Sequence, residues 1–253
     1  MDAILITGAS AGIGEAFARQ LAAEGHNLVL AARRVERLRE LAETLEASFR
    51  IQVVSLRCDL TEEKAAATLA AELDQQGIRV SGLINNAGFG DRGRFQDLSL
   101  ERQLNMIQLN VTALVDLTWR LVPQLTRARR AFIINVASTA AFQAGPNMAI
   151  YYATKAFVLS FSEALHEELR GQGVSVSALC PGATASEFAR EANMTDTLLF
   201  KAGTMDAATV VRKALAGRHR AIVIPGFRNA LMVWLGKLSP RLVTRRIAAR
   251  LQA

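Results

Sequence analysis

Short apolar runs alternate with longer segments of helical periodicity along the whole chain. The runs are continuously apolar or nearly so, which is typical of strands buried on both faces of a sheet. They occupy residues 3–7, 27–32, 52–57, 83–84, 131–136, 175–180 and 221–224. Apolar residues recur at helical spacing in residues 12–24, 34–48, 62–76, 100–127, 151–170 and 206–216. The pattern therefore predicts a parallel sheet whose strands are joined by right-handed helical crossovers.

This alternation predicts an α/β fold: a single-domain, Rossmann-type, doubly wound parallel sheet of about seven strands with helices on both faces. A chain of 253 residues, 51% of them apolar, has enough material for one such core. We assign residues 1–226 to this domain, with a substrate lid near residues 186–205, and residues 227–253 to a C-terminal tail. Ligands of such sheets bind beyond the carboxyl ends of the strands, so we expect functional residues there.

The charge is distributed unevenly along the chain. The net charge is +7, and ten basic residues but no acidic residue follow Asp206, which leaves 20 basic and 23 acidic residues in the first 206 residues. The tail mixes arginines with apolar residues, and its apolar run is too short to span a bilayer. Two interpretations of residues 227–251 stay open: one basic amphipathic helix packs on the protein or a second subunit, or it lies peripherally on an anionic membrane surface. We expect no nucleic-acid partner.

Two further features restrict the class of protein. Cys58 and Cys180 lie far apart and in no metal-like spacing, so we expect neither a disulfide framework nor a metal site. The first residues enter a strand almost at once and lack the order of a secretory signal. We therefore expect a cytoplasmic protein.

A glycine-rich turn joins the first strand to the first helix. Glycines there allow a tight turn and a close approach of the backbone to a pyrophosphate, while the helix N-terminus offers N–H groups to the phosphates. The turn predicts a dinucleotide site whose candidate contacts are Gly8, Ser10, Gly12, Ile13 and Gly14.

The second strand ends in two guanidinium groups rather than a carboxylate. A carboxylate at this point binds a free ribose hydroxyl, whereas Arg33 and Arg34 suit a 2′-phosphate through charge-assisted hydrogen bonds. We therefore predict NADP(H) as the cofactor. The other interpretation is that one or both arginines form a solvated start to the following helix.

Polar or small residues also follow the third and fourth strands. Asp59 could accept a hydrogen bond from the adenine amino group, or it could cap the next helix, as could Thr61. Asn86, Ala87 and Gly88 follow the fourth strand, where small and amide residues suit close approach of the backbone to the cofactor or hold the end of the sheet together.

The strongest local signal is a serine, a tyrosine and a lysine in fixed spacing. Ser138 ends the fifth strand, and Tyr151 and Lys155 share one face of a helix because they are four residues apart. A neighbouring ammonium favours the phenolate, so we expect a lowered pKa at Tyr151 and a usable general acid or base. Tyr152 lacks such a lysine, and we expect it to pack or to form a substrate wall.

Taken together, these motifs resemble the classical short-chain dehydrogenase/reductase family over residues 3–186. The motifs that carry the resemblance stand in the family's order: the turn from Thr7 to Gly14, Asp59, Asn85 to Gly88, Asn110, Ser138, Tyr151 with Lys155, and Pro181-Gly182.

The resemblance implies a role for each matched residue. Tyr151 would protonate the carbonyl oxygen, Ser138 would orient it, and Lys155 would bind the ribose and lower the tyrosine pKa. Asn110 would hold a water that relays protons to Lys155. The nicotinamide amide would be fixed by Pro181, Gly182 and Thr184. The resemblance also implies a homodimer or homotetramer packed through the helices of residues 100–127 and 151–170.

We therefore expect an NADP(H)-dependent oxidoreductase that exchanges a hydride with a carbonyl or alcohol substrate. Apolar walls favour a lipophilic or acyl-type substrate, a 3-oxoacyl compound being one case. The expected wall residues are Phe89, Gly90, residues 139–148, and Phe188, Met194, Leu198, Leu199 and Phe200 of the lid. Two alternatives stay open: an NADPH-binding regulatory or sensor protein without turnover, and a membrane-surface protein recruited by its basic tail.

Overall fold

The computed structural model describes residues 1–197, 200 and 203–251. It confirms the predicted seven-stranded parallel sheet, in the order β3-β2-β1-β4-β5-β6-β9. Its strands are β1 Asp2–Thr7, β2 Leu28–Ala32, β3 Val53–Arg57, β4 Arg79–Asn85, β5 Phe132–Val136, β6 Ser175–Leu179 and β9 Ile222–Val223. Two further short strands, β7 Thr184–Ala185 and β8 Met205–Asp206, pair in a separate parallel ribbon.

Helices cover both faces of the sheet, as the alternation predicts. They are α1 Gly12–Ala23, α2 Val35–Ser48, α3 Ala65–Gln75, α4 Leu100–Ile107, α5 Ala113–Leu125, α6 Ala149–Arg170, α7 Phe188–Glu191, α8 Ala207–Ala216, α9 Phe227–Leu238 and α10 Arg241–Leu251. Among the described residues no helix is long and apolar enough to cross a membrane.

The core consists of one layer on each side of the sheet, because successive strand residues point to opposite faces. Ile4 and Ile6 of β1 pack with Phe17 of α1 on one side. Leu5 packs with Leu117 of α5 on the other.

The two edge strands differ from the prediction that all strands are buried on both faces. Val53, Val54 and Ser55 of β3 are half-buried and Arg57 is exposed, and Ile222 of β9 is half-buried. An edge strand has a neighbour on one side only, and the sequence pattern did not say which strands would take the edges.

Two predicted helices have different boundaries. The helix predicted from residue 62 begins at Ala65, because Lys64 takes a left-handed φ of 66° at its start. The segment predicted as one helix over residues 100–127 is α4 and α5 joined by a π-helical turn, Gln108–Thr112. Such turns often mark functional sites.

The lid and the tail also contain more structure than predicted. The lid includes α7 and the β8 end of the short ribbon, while the expected wall residues Leu198 and Leu199 lie outside the described residues. The tail is two helices and not one. α9 ends at Leu238, and Pro240, which has no N–H to continue the helical hydrogen bonds, precedes α10.

The chain crosses over between β1 and β4, which lie side by side although two other strands separate them in sequence. The connections from these two strands leave to opposite sides of the sheet, so a crevice opens at their carboxyl ends. The glycine turn after β1 and the segment after β4 therefore face each other across this crevice.

Candidate active site

A large cavity lies beyond the carboxyl ends of the central strands. Its volume is about 1120 Å³, slightly above the range of about 300–1,000 Å³ for single-ligand pockets. Most of the residues singled out from the sequence line it: Gly8, Ser10, Gly12, Ile13, Arg33, Arg34, Asp59, Asn86, Ala87, Gly88, Ser138, Tyr151, Lys155, Pro181, Gly182 and Thr184. Gly14 and Asn110 lie behind this lining, packed against Gly8 and Gly88.

The glycine turn is packed closely against the segment after β4. Gly8 and Gly12 have φ values of 64° and 59°, a conformation that glycine adopts at little cost. A Cβ on Gly8 would lie 2.9 Å from the Cα of Ala87. The cap residue of α1, Ala11, gives the first turn no side-chain hydrogen bond. The first-turn N–H groups are therefore available to a phosphate.

The two predicted phosphate-binding arginines lie on the rim of the cavity. Arg34 donates from Nε and Nη2 to Oγ of Ser10, at 3.3 and 3.1 Å, and from Nη1 to Glu187 at 2.8 Å. Arg37 donates to the other oxygen of the same carboxylate at 2.9 Å. Arg33 is largely exposed and lies 3.9 Å from Glu191. The rim therefore gathers three guanidinium groups beside the glycine turn.

The carboxyl group of Glu187 stays ionised because it is hydrogen-bonded to two of these guanidinium groups. The hydrogen bonds from Arg37 and Arg34 lower the pKa of this carboxyl to about 2. The lid is thus tied to α2 by an ion pair that persists at every pH near neutrality.

The prediction that Asp59 or Thr61 caps the next helix is wrong, because α3 begins only at Ala65 and its cap residue, Lys64, makes no such side-chain hydrogen bond. Asp59 instead holds a turn that precedes the helix. Its Oδ1 accepts hydrogen bonds from the backbone N–H and the hydroxyl of Thr61, at 3.0 and 2.7 Å. It therefore stabilises the turn before α3, and it lines the cavity at the same time.

The two asparagines at the end of β4 hold the crevice in shape. Asn86 donates from Nδ2 to the carbonyls of Thr7 and Gly8, at 2.9 and 3.1 Å, which fixes the glycine turn. Asn85 is buried and donates to Thr118 and to Asn135. These contacts tie neighbouring strands together at the edge where the cavity opens.

Tyr151 and Ser138 meet on one wall of the cavity. Ser138 follows β5, and Tyr151 comes from the first turn of α6 and is buried. Burial raises the pKa of Tyr151 above its ordinary value, and a hydrogen bond with Ser138 acts in the opposite direction. The direction of the net shift differs from the lowering expected from the sequence, because the cost of burying a phenolate outweighs the neighbouring groups.

Lys155 lies one turn further along α6 and is also buried. Its Nζ donates to the carbonyl of Val136 at 2.7 Å and lies 5.8 Å from the centre of the Tyr151 ring. Burial lowers the pKa of Lys155 to about 8. The spacing therefore places the lysine beside the tyrosine ring, as expected, and its proton is easily lost compared with that of an exposed lysine.

Asn110 occupies the π-helical turn and bridges two elements of the site. Its Nδ2 donates to the carbonyl of Phe89 at 3.0 Å and to Oγ1 of Thr154 at 3.1 Å, and its Oδ1 accepts from the N–H of Phe89. A Cβ on Gly88 would lie 2.8 Å from that Oδ1 and 3.6 Å from Nζ of Lys155. Gly88 therefore leaves the space in which these two side chains approach each other.

Apolar side chains surround Tyr151 in the cavity. Phe188 packs against Tyr151 with 5.5 Å between ring centroids, and Phe89, Met194 and Phe200 belong to the same cluster. Tyr152 is buried, packs edge-on to Tyr151 and lines the cavity, which confirms its expected place as a packing and wall residue.

The whole site fits one family. The family model for short chain dehydrogenases matches residues 2–197, which is most of the chain. The chain belongs to the short-chain dehydrogenase/reductase family. It is an oxidoreductase that interconverts CH–OH and C=O groups with a nicotinamide cofactor.

Relatives of this short-chain dehydrogenase agree with the match. Sulfoacetaldehyde reductase 2 of Chromohalobacter salexigens is 40% identical over 189 residues, which are 74% of this chain and 74% of the relative. A short-chain dehydrogenase from Sphingobium yanoikuyae, solved in complex with NADPH, is 35% identical with a TM-score of 0.82, over 94% of this chain and 95% of that one. A 7β-hydroxysteroid dehydrogenase structure is 27% identical with a TM-score of 0.88, over 98% and 96% of the two chains.

Three cavity or rim residues of this short-chain dehydrogenase were missed from the sequence. Arg37 stands three residues after Arg34, the cap residue of α2, and this helical spacing could have revealed it. Glu187 pairs with α2 across about 150 residues of chain, which no local pattern shows. Asn229 of α9 packs on Gly182, where a Cβ would lie 2.6 Å from its Oδ1.

Proposed function

We propose that this chain is an NADP(H)-dependent reductase of lipophilic ketones and aldehydes, with Tyr151 as the general acid. The observation that carries the proposal is the meeting of Tyr151, Ser138 and Lys155 on one wall of a cavity that continues to the glycine turn. Such a wall can hold a carbonyl oxygen beside an acidic hydroxyl.

The residues around the cavity suit a dinucleotide. The glycine turn and the N-terminus of α1 would hold the pyrophosphate, Asp59 the adenine, and Lys155 the nicotinamide ribose, while Gly182 and Thr184 would hold the nicotinamide amide. When bound, the cofactor supplies the hydride for reduction or accepts it in oxidation. The close packing of Gly8 on Ala87 supports this fit, because side chains there would fill the cradle.

Tyr151 would supply the proton of the reduction. As hydride reaches the carbonyl carbon, negative charge develops on the carbonyl oxygen, and the hydroxyl of Tyr151 donates its proton to it. The phenol is protonated at neutral pH, because burial raises its pKa, and the hydrogen bond with Ser138 acts against the loss of acidity that this burial causes. Ser138 would donate a second hydrogen bond to the same oxygen and keep it in line.

After the reduction, Lys155 would supply a proton to the phenolate of Tyr151. With a pKa lowered to about 8, this lysine can exchange a proton near neutrality. The amide of Asn110 is already bonded to Phe89 and Thr154, so Asn110 would hold a relay water through the backbone of its π-helical turn rather than through its side chain.

The residues at the rim of the cavity support the proposed preference for NADP(H) over NAD(H). Arg33 and Arg34 follow Ala32, the last residue of β2, and line the cavity. Arg37 is close to them, because it shares the carboxylate of Glu187 with Arg34. A 2′-phosphate would receive charge-assisted hydrogen bonds there, whereas the hydroxyl of NAD(H) would find no carboxylate at the strand end.

The lipophilic substrate follows from the wall around Tyr151. Phe188, Met194, Phe89 and Phe200 give apolar contact beside the reacting position. The similarity to a 7β-hydroxysteroid dehydrogenase structure supports a bulky apolar substrate. The similarity to sulfoacetaldehyde reductase 2 supports the reduction of a carbonyl group. The rest of that relative's substrate differs from the lipophilic substrate that we propose.

The proposal is tested by binding and turnover together. NADPH and NADH are titrated into the wild type and Arg34→Ala, and NADPH oxidation is then followed with a bulky aryl ketone and with a short polar aldehyde. We expect wild-type affinity to favour NADPH, Arg34→Ala to weaken NADPH binding about 10- to 100-fold with little effect on NADH, and the aryl ketone to turn over faster. Equal affinity for the two cofactors, or faster turnover of the polar aldehyde, would reject the corresponding part of the proposal.

A further inference from the structure

The outward face of α9 is apolar, which is the reverse of an ordinary surface helix. Phe227, Leu231, Trp234, Leu235 and Leu238 recur at helical spacing, and all are exposed, Phe227 at 81% and Leu238 at 67%. The opposite face packs on the protein through Asn229, Val233 and Gly236. The helix is therefore fixed by its inner face, with a stripe of large apolar side chains turned to the outside.

The following helix extends this surface. Leu242, Val243 and Ile247 of α10 are exposed, while Ala248 is buried. Together the two helices form what we call the tail surface, the exposed side chains of residues 227–250. Contiguous exposed apolar patches of this kind mark interaction sites.

The tail surface carries charge of one sign. It contains six basic residues, Arg228, Lys237, Arg241, Arg245, Arg246 and Arg250, and no acidic residue. In a two-fold symmetric contact with a second copy, six cations would face six cations, which disfavours that occupant. A duplex nucleic acid would satisfy the cations but leave the large apolar side chains against water.

An anionic lipid surface satisfies both properties at once. Apolar side chains including tryptophan enter the boundary between headgroups and acyl chains, while lysine and arginine pair with lipid phosphates. Neither α9 nor α10 is long enough to span a bilayer, and both suit binding in the plane of the interface. We propose that α9 and α10 dock this protein on an anionic membrane surface.

The docked surface lies at the mouth of the active-site cavity. Phe227 and Met232 line the cavity and are also exposed. Docking would therefore turn the cavity toward the lipid, so that a lipophilic carbonyl compound could enter from the membrane without crossing water. This second step rests on the proposed function, whereas the docking itself does not.

The chain offers a matched pair of reporters, because it contains two tryptophans. Trp119→Phe leaves Trp234 on the tail surface, and Trp234→Phe leaves Trp119, exposed at 73% on α5. Each variant is mixed with vesicles of phosphatidylcholine alone or with 30% phosphatidylglycerol, about a third anionic lipid, and its emission and acrylamide quenching are recorded. We expect a blue shift and protection from quenching for Trp234 only, and only with the anionic vesicles.

A second variant pair tests the apolar contact by co-sedimentation. Leu238→Glu removes an exposed apolar residue of the tail surface, and Phe95→Glu is the control, with a similar exposure of 63% elsewhere on the molecule. We expect Leu238→Glu to weaken vesicle binding roughly tenfold or more and Phe95→Glu to leave it unchanged. NADPH titration shows that both variants are folded.

Three results would overturn the docking proposal. The first is an unchanged Trp234 signal with anionic vesicles. The second is a Trp234 shift that depends on protein concentration without vesicles, which would assign the surface to a second copy. The third is a shift with duplex DNA in place of vesicles. Turnover of a water-soluble ketone without vesicles tests the proposed function separately, so the two can fail independently.

Discussion

Tyr151 and Lys155 show how burial sets the protonation of a site. Both side chains are buried, and burial disfavours the charged form of each, so the pKa of the tyrosine rises and that of the lysine falls. The sequence predicted their proximity, because four residues is one helical turn. It could not predict the direction of the tyrosine shift, which depends on how deeply α6 carries the ring into the fold.

The lowered pKa of Lys155 predicts a rise of stability with pH. The pKa is near 10.5 in the unfolded chain and about 8 in the folded one, so between these values the unfolded state binds more protons and the free energy of unfolding rises with pH. Below pH 8 both states are protonated and this contribution is constant. Urea unfolding at pH 7 to 10 without cofactor should show a steeper rise in the wild type than in Lys155→Met. Equal slopes would mean that this lysine is not buried as described.

The hydrogen bonds of Glu187 to the arginines predict that this carboxylate weakens NADPH binding. The carboxylate is hydrogen-bonded to Arg34 and Arg37, and a 2′-phosphate at the rim would compete for the same donors. We expect Glu187→Gln to tighten NADPH binding roughly two- to fivefold, in the range of an exposed ion pair, and to leave NADH binding unchanged.

The control for this competition is Glu191→Gln, because Glu191 lies 3.9 Å from Arg33 and makes a weaker contact. A smaller change in this control agrees with the account. If Glu187→Gln weakens NADPH binding instead, the carboxylate orients the arginines for the phosphate and does not compete with it.

Among the elements, the central strands depend on a buried polar chain. Asn85 of β4 donates to Asn135 of β5 and to Thr118 of α5, and Asn135 donates to Ser162 of α6. Each bond satisfies a group that has no access to water. The chain therefore fixes the strand ends from which the cavity is built.

Removing the first member of this chain should destabilise the fold. Asn85→Ala leaves buried acceptors on Asn135 and Thr118, and we expect a loss of about 1–3 kcal/mol in the free energy of unfolding. Ser81→Ala, on the same strand, removes a single hydrogen bond to the Ala3 carbonyl in a half-buried place and should cost less. Denaturant unfolding of both variants measures the difference; equal losses would contradict a special role for the chain.

The sequence predicted the elements well because hydrophobic periodicity is local. All seven strands of the main sheet lie where the pattern indicates, within a few residues, and so do the six predicted helical segments, of which the segment 100–127 is two helices. The exposed faces of β3 and β9 depend on sheet order, and the π-helical turn at residues 108–112 depends on packing around Asn110. The contact of Glu187 with α2 joins parts of the chain that are distant in sequence.

Across the whole molecule, exposed apolar residues also lie on the helices expected to pack against a second copy. Leu100 and Leu104 of α4, Trp119 of α5 and Phe157 of α6 are exposed at 69%, 55%, 73% and 42%. This set of residues belongs to helices other than α9 and α10. It supports the expectation that α4, α5 and α6 form the subunit contact of a homodimer or homotetramer.

A subunit contact through α4, α5 and α6 predicts that a charge placed on it dissociates the oligomer. Trp119→Arg should shift the sedimentation coefficient of the protein toward that of the monomer, because the cation would be buried without a partner. Trp234→Arg on the tail surface is the control and should leave the oligomer intact. If only Trp234→Arg dissociates the oligomer, the subunit contact is the tail surface and not α4, α5 and α6.

The proposed reduction depends most directly on the hydroxyl of Tyr151. NADPH oxidation with the best ketone is compared in the wild type, Tyr151→Phe and Tyr152→Phe, together with NADPH affinity. We expect Tyr151→Phe to bind NADPH normally and to lose about 10²- to 10⁴-fold in kcat, the size of a lost general acid, while Tyr152→Phe retains most of its turnover. A Tyr151→Phe enzyme that binds NADPH and reduces the ketone as fast as the wild type would contradict the proposed mechanism.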